Sequence, residues 1–384
     1  MRSTIAKPSH HSWFDTVFLC LAIVSVSGCS SLSDWRHSRE KASQYRPAPS
    51  DRFLLPPEGV DIIGKVQVTA ARHEDTLLDI ARRYDLGYEE IVAANPGVEP
   101  WLPGKGTTVV LPTQFILPRQ KRQGLVLNLA SMRLFYFPKP EPGQAAEVIT
   151  HPIGIGREGW RTPQGTTRIT QKIEKPAWTV PESVHREHAR LGDPLPRIVP
   201  PGPDNPLGEF AMRLSRPQYL IHGTNKPWGV GIRVSHGCVR LYPEDISRLF
   251  PQVPVGTQVR IINEPYVVGR HDGQLYLEAH EPLSEDARRW KGSLEPMKKA
   301  MQTKTADLSA EVNWNKARKI AVQAHGIPIP VGPDSPELAE ILARAPQVPS
   351  TPPWAPLNYE QENTLKPAAS EDQRVDNEDG FPPT

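Results

Sequence analysis

The chain opens on an apolar block. Residues 13–27 (WFDTVFLCLAIVSVS) are hydrophobic apart from Asp15 and a few hydroxyls, and they follow a polar start carrying Arg2, Lys7, His10 and His11. A basic start, an apolar run of about fifteen residues and a small-residue exit predict an export signal over 1–28; a membrane-spanning helix would need about 20 apolar residues. Residues 29–64 turn polar, with scattered Ser, Arg and Pro, and read as a tether. Between 65 and 112 the period changes. Val66-Gln67-Val68 suggests a strand. Leu77, Ile80, Ala81 and Tyr84 recur at helical spacing, with Asp75 as the expected N-cap and Gly87 as the stop. Tyr88–Ala94 predicts a second helix, ended by Asn95-Pro96, and Val109-Val110-Leu111-Pro112 a closing strand. The unit is strand–helix–helix–strand.

From Gly124 the pattern alternates. Leu125, Leu127 and Leu129, then Leu134 and Tyr136, predict a hairpin, and residues 147–153 and 167–173 continue in the same texture. A Pro-rich connection over 181–208 is long enough to be a functional loop. Residues 219–222 read as a strand, 243–250 as a short helix begun by Pro243, and 257–262 as a closing strand. Residues 123–263 are therefore predicted to be a mainly β domain with a short helix. Residues 264–329 mix alternating and helical periods, which predicts a small α+β accessory domain. Residues 330–384 return to Pro, Ser, Ala and acids and are predicted to be a disordered tail.

Composition narrows the function. Of 384 residues, 43 are proline, about 11%, roughly twice the usual share of about 5%; much of the excess falls in the connections and ends. Charge is nearly balanced, 45 basic against 43 acidic residues, which argues against a nucleic-acid binder and against a charged solvating chain. The three cysteines, Cys20, Cys29 and Cys238, are too few for a disulfide scaffold or a four-cysteine zinc ribbon. Cys20 lies in the export signal. Cys238 is thus a lone thiol in the folded part of an exported chain, either an inert buried side chain or one with a chemical use.

The segment around it favours use. Within Ile221-His222-Gly223-Thr224-Asn225 and Arg233-Val234-Ser235-His236-Gly237-Cys238-Val239-Arg240, one thiol lies among two histidines, two arginines and several glycines. A thiol needs a base or cation nearby to become a thiolate. His222 ends a predicted strand, and a turn over Gly229 and Gly231 lets it return beside the sulfur. Backbone N–H groups around Gly237 and Cys238 are placed to meet an oxyanion, and Arg240 and Arg233 suit a carboxylate. Two alternatives stay open here. His236 fits a structural role and Arg233 an ordinary surface charge. A metal site from His222, His236 and Cys238 lacks an HExxH or CxxC spacing and an evident fourth ligand.

These residues closely resemble the L,D-transpeptidase (YkuD-type) family, whose motif is His, a spacer, then Ser/Thr-His-Gly-Cys. Here the match is His222 and Ser235-His236-Gly237-Cys238. Upstream, Pro152-Ile153-Gly154-Ile155-Gly156, Thr162-Pro163-x-Gly165 and Gly202-Pro203-Asp204-Asn205-Pro206 resemble its ErfK/YbiS-like subgroup. The resemblance implies a β-sandwich-like catalytic fold. It implies Cys238 as nucleophile, His222 as base oriented by the Gly223 carbonyl, and His236 and Gly237 shaping the oxyanion site. Arg240, with Ser235 and Arg233 nearby, would bind substrate, and no metal or organic cofactor is needed. The implied reaction cleaves the meso-diaminopimelate–D-Ala bond of a peptidoglycan tetrapeptide and passes the acyl group to an amine. A Braun-type lipoprotein lysine is the favoured acceptor; a second stem peptide (3→3 cross-link), water (L,D-carboxypeptidase) and an inactive wall-binding lipoprotein are the alternatives. Residues 65–112 resemble a small α/β LysM module, a glycan-binding family, through Asp75-Thr76-Leu77, Asn95-Pro96, Pro103-Gly104 and Leu111-Pro112. Val26-Ser27-Gly28-Cys29 resembles a bacterial lipobox, which implies lipidation of Cys29, a membrane anchor and a periplasmic, outer-membrane location in a Gram-negative bacterium.

Overall fold

The computed structural model describes residues 51–305 and 311–350. The export signal, Cys29 and everything beyond 350 lie outside the described residues. Among the described residues no helix is long and apolar enough to cross a membrane.

The first strands are β1 (Arg52–Leu54), β2 (Ile62–Gly64), β3 (Gln67–Ala70), β4 (Thr108–Leu111) and β5 (Gln114–Ile116), with α1 (Leu77–Arg83) and α2 (Tyr88–Ala94) between β3 and β4. β3 and β4 pair antiparallel, so residues 65–112 form a βααβ unit. Thr76, rather than Asp75, caps α1: its hydroxyl accepts from Asp79 N at 3.1 Å while Asp79 Oδ2 accepts from Thr76 N at 3.0 Å, a reciprocal capping box. Asp75 instead accepts from Arg72 N at 2.8 Å. Gly87 is not the stop of the first helix but the N-cap of the second; Asp85, in the left-handed region at φ 55°, ends the first.

Next come β6 (Gly124–Asn128), β7 (Arg133–Phe137), β8 (Glu147–Pro152), β9 (Ile155–Gly156), β10 (Gly165–Glu174), β11 (Trp178–Thr179), α3 (Glu182–Arg190), β12 (Ile198–Val199), β13 (Phe210–Leu214), β14 (Leu220–His222), β15 (Arg233–Ser235), β16 (Val239–Arg240), α4 (Pro243–Gln252) and β17 (Gln258–Ile262). Among the described residues nine strands run in the order β1-β8-β7-β6-β17-β10-β13-β14-β16. β10 is shared. Its first residues, Gly165–Arg168, pair with β17; from Ile169 onward it pairs with β13, and the register slips between Ile169 and Gln171. Such a slip bends a strand. Ile149 near one end of the order and Val239 at the other meet in a single apolar cluster with Leu127, Ile169, Met212 and Leu249. The two halves therefore face each other across one core. The Pro-rich connection over 181–208, expected to be a functional loop, carries α3 and β12, which pairs with β11 just before it.

The last elements are β18 (Tyr266–His271), β19 (Gln274–Ala279), α5 (Ser284–Trp290), α6 (Glu295–Thr305), α7 (Trp314–Gln323), β20 (Ile329–Pro330) and α8 (Leu338–Ala343). β18 and β19 turn at Asp272-Gly273, both at positive φ (48° and 73°), the pairing a tight hairpin prefers. The core beneath them includes Leu277, Met297, Met301, Ile320 and Val331, together with Val66, Ala94 and Val110 of the βααβ unit. The accessory and βααβ units thus share one core.

Two boundaries need correction. The tether expected over 29–64 does not extend to 64, because β1 pairs with β8 and β2 with β5, burying Ile62 and Ile63. The tail expected from 330 does not begin there. Leu338, Ile341 and Leu342 pack on the shared core, and Pro346–Val348 bonds along β3, with Val68 N donating to Pro346 O at 3.0 Å and Val348 N to Val68 O at 2.8 Å. In both stretches the apolar residues are few and spaced among prolines, so composition hid them.

Candidate active site

β14 and β16 pair in parallel, with Ile221 opposite Val239 and His222 opposite Arg240. Alternate residues of a strand share a face. His222, Arg240 and Cys238, the residue just before β16, therefore stand on one side of this pair of strands.

His222 is buried, and its Nδ1 lies 2.6 Å from Gly223 O, so Nδ1–H donates to that carbonyl. The Leu207 carbonyl also faces the ring. Burial, and then the Arg240 charge, push the imidazole down to about 3; it is a neutral base at neutral pH. Burial pushes the Cys238 thiol up, while the Leu220 backbone and the Arg240 guanidinium favour the thiolate. The thiol donates to Gln218 O at 3.5 Å. Arg240 thus acts in one sense on both groups, stabilising an anion at sulfur and disfavouring a cation at the imidazole. Its own Nε is buried without a hydrogen-bond partner.

The turn bearing Cys238 is tightly held. Ser235 Oγ donates to Cys238 O at 2.5 Å and accepts from Gly237 N at 3.1 Å. Gly237 sits at φ +102°, and a Cβ there would lie 2.8 Å from the Tyr219 ring, so only glycine fits. Thr162 Oγ1 donates to Gly237 O at 2.9 Å and accepts from Gly156 N at 3.0 Å, which joins both upstream glycine motifs to the turn. Since the Gly237 N–H is engaged by Ser235, it is not free to meet an oxyanion.

Two expected site residues are otherwise occupied. The His236 ring turns to the Pro-rich connection, with Nε2 2.7 Å from Glu187 Oε2 of α3 and 3.1 Å from Arg157, against the edge of Trp160. Arg157 and His236 hold the Glu187 carboxyl at about 2. Arg233 is not available to substrate. It pairs bidentately with Glu285 of α5 at 2.8 and 3.0 Å and donates to Ser284 Oγ at 3.0 Å. Strand alternation gave no hint of Glu285, which lies 52 residues away in the accessory unit. Sequence reasoning also missed Glu187 and Arg157. Asn205, noted only as part of a motif, is fully buried; its Nδ2 donates to Pro176, Val199 and Pro200 carbonyls, and its Oδ1 accepts from Leu207 N at 2.9 Å. It pins the base of the connection beside the residue whose carbonyl faces His222.

The βααβ unit reaches this site. Glu89 N of α2 donates to Gly231 O at 3.1 Å, between His222 and Cys238 in sequence. Gly231 lies at φ +79°, and a Cβ there would meet Gly87 Cα at 2.3 Å. Gly231→Ala is therefore expected to destabilise the protein by about 1–3 kcal/mol, read as a fall in the midpoint of thermal or urea unfolding; an unchanged midpoint would show that the contact yields easily.

The L,D-transpeptidase catalytic domain model (YkuD) matches residues 122–261. The chain is 44% identical over 244 residues to "Probable L,D-transpeptidase YbiS" of Escherichia coli (strain K12), an alignment spanning 62% of this chain and 78% of that protein. It is 39% identical over 291 residues to "Probable L,D-transpeptidase ErfK/SrfK" of Salmonella typhimurium, spanning 74% of this chain and 93% of that one. A third relative, "Probable L,D-transpeptidase YcfS" of Escherichia coli (strain K12), is 40% identical over 245 residues, 62% of this chain and 75% of its own. Alignments this long at such identity leave one assignment: the chain belongs to the L,D-transpeptidase family.

Proposed function

We propose that this enzyme cleaves the meso-diaminopimelate–D-Ala bond of a peptidoglycan tetrapeptide through a Cys238 thioester and transfers the acyl group to an amine. The supporting observation is the arrangement of a thiol, a neutral buried imidazole and a half-buried arginine whose Nε is buried without a partner, on one face of β14 and β16. With Nδ1–H given to Gly223, the other nitrogen, Nε2, is the one to take the thiol proton. The sulfur attacks the carbonyl, the C–N bond breaks, and the proton passes from His222 to the departing D-Ala amine. An acceptor amine then gives a proton to His222, displaces the sulfur and restores the thiol. Arg240 is assigned to the donor's free carboxylate, which a guanidinium suits.

Incubation with a diaminopimelate-containing tetrapeptide muropeptide should add the acyl mass to Cys238 and release D-Ala, read by mass spectrometry. Absence of both would sink the reading. Supplying a peptide with the C-terminal lysine of a Braun-type lipoprotein, or a second muropeptide, separates the acceptors; we favour the lipoprotein lysine. Free tripeptide in the absence of amine would mark hydrolysis.

We assign the βααβ unit to glycan. Trp101 is 63% exposed and stacks on Tyr88 at 6.0 Å, presenting a flat apolar face of the kind that packs on a sugar ring. Trp101→Ala is expected to reduce retention on isolated sacculi several-fold with the unfolding midpoint unchanged; equal retention would count against the assignment. Deleting the whole unit is a poorer test, because it removes Glu90 from the buried Arg133, which it pairs at 2.7 Å. Cys29 is assigned as a lipid anchor in the periplasm, and Cys29→Ser should then release the protein from the membrane fraction.

A further inference from the structure

None of the members of a second buried cluster of titratable groups belongs to the thiol site. His151 of β8, with no exposed surface, stands at its centre. Its Nδ1 lies 3.2 Å from Asp85 Oδ2 and 3.6 Å from Asp245 Oδ1, and its Nε2 3.7 Å from Asp51 Oδ2. The four residues come from four places in the fold: Asp51 precedes β1, Asp85 follows α1 in the βααβ unit, His151 is in β8, and Asp245 lies in the first turn of α4.

One ligand atom from each of Asp51, Asp85 and His151 falls within 4.8 Å of the others. Two atoms at the cluster, Asp51 Oδ1 and His151 Nε2, are buried with no hydrogen-bond partner, a costly condition for polar groups. Three carboxylates face one guanidinium, Arg248, which lies 3.3 Å from Asp51 and 2.7 Å from Asp245. Arg133, paired with Glu90, bonds the Asp85 backbone carbonyl at 2.8 Å and adds its charge beside the Asp85 carboxylate.

We infer that Asp51, Asp85 and His151 form a divalent-cation site, with Asp245 at its margin. Mixed nitrogen and carboxylate ligands suit a metal of the zinc class. Bound there, the ion would join the N-terminal strand and the βααβ unit to the catalytic sheet.

The test uses the full chain carrying Cys238→Ala, so that the thiol cannot ligate. After stripping with a chelator, Zn²⁺ or Co²⁺ should bind at one per chain. Saturation should raise the unfolding midpoint by about 5 °C or more, and Co²⁺ should give the visible absorption of a nitrogen–oxygen site. Asp51→Asn and His151→Gln should each weaken binding at least about tenfold. A stripped protein that takes up neither metal, with an unmoved midpoint, overturns the inference. So does undiminished uptake by both variants. Should the variants fail to fold, stoichiometry, midpoint and Co²⁺ spectrum of the parent chain decide it.

Discussion

Cys238→Ala is expected to abolish the acyl-enzyme adduct and lower turnover of tetrapeptide donor by a factor on the order of 10⁵ or more, the scale seen when a covalent nucleophile is removed. The fold should survive. Cys238 is half-buried, and what holds its turn is the Ser235 hydroxyl, the Thr162 hydroxyl and the left-handed Gly237, none of which needs the sulfur. An unchanged unfolding midpoint together with lost adduct mass is the expected pair of results. Adduct formation in the alanine variant would place the chemistry elsewhere.

His222→Ala is expected to cost about 10²–10⁴ in kcat/KM, the usual contribution of a general base. The pH dependence carries the sharper test. A free imidazole would lose its basicity below about 6.5, whereas burial and Arg240 hold His222 at about 3. The acid limb of the wild-type profile should accordingly lie well below pH 6.5, with kcat/KM nearly level between pH 5 and 7. A limb at 6.5 would contradict this environment for the ring. Stability follows the same group. The folded pKa lies below the unfolded one, so the unfolded chain binds the extra proton. The stabilising contribution is complete above 6.5 and is lost as pH falls toward 3. His222→Gln should flatten the acid fall of the unfolding midpoint across that window.

How much of this could be read from the chain depended on whether the signal was local. The βααβ unit was legible because its helical period, its closing strand and its capping residues all lie within a stretch of 48 residues, though the cap shifted from Asp75 to Thr76. His222 and Cys238 were legible because both lie within one short segment of the chain, at the two ends of the connection between β14 and β16. The partner of Arg233 was not legible because Glu285 comes from another unit. His151 was passed over for the same reason: its carboxylate neighbours lie 66, 94 and 100 positions away. Helix α3 was hidden by the prolines on either side of it. The ordered stretch from 330 to 350 was hidden because it folds by adding to an existing strand and core, not by any periodicity of its own.

The bare backbone contact between Gly87 and Gly231 bears on how freely such proteins can exchange parts. Domain shuffling usually tolerates a new neighbour because linkers keep modules apart. Here the first turn of α2 presses on the loop joining His222 and Cys238. A foreign module grafted at residues 65–112 would have to offer a glycine at the same helix entrance and an acid for Arg133. Without them the transplant would disturb the catalytic loop itself. Recombination among relatives should therefore succeed when the two regions travel together and fail when they are cut apart.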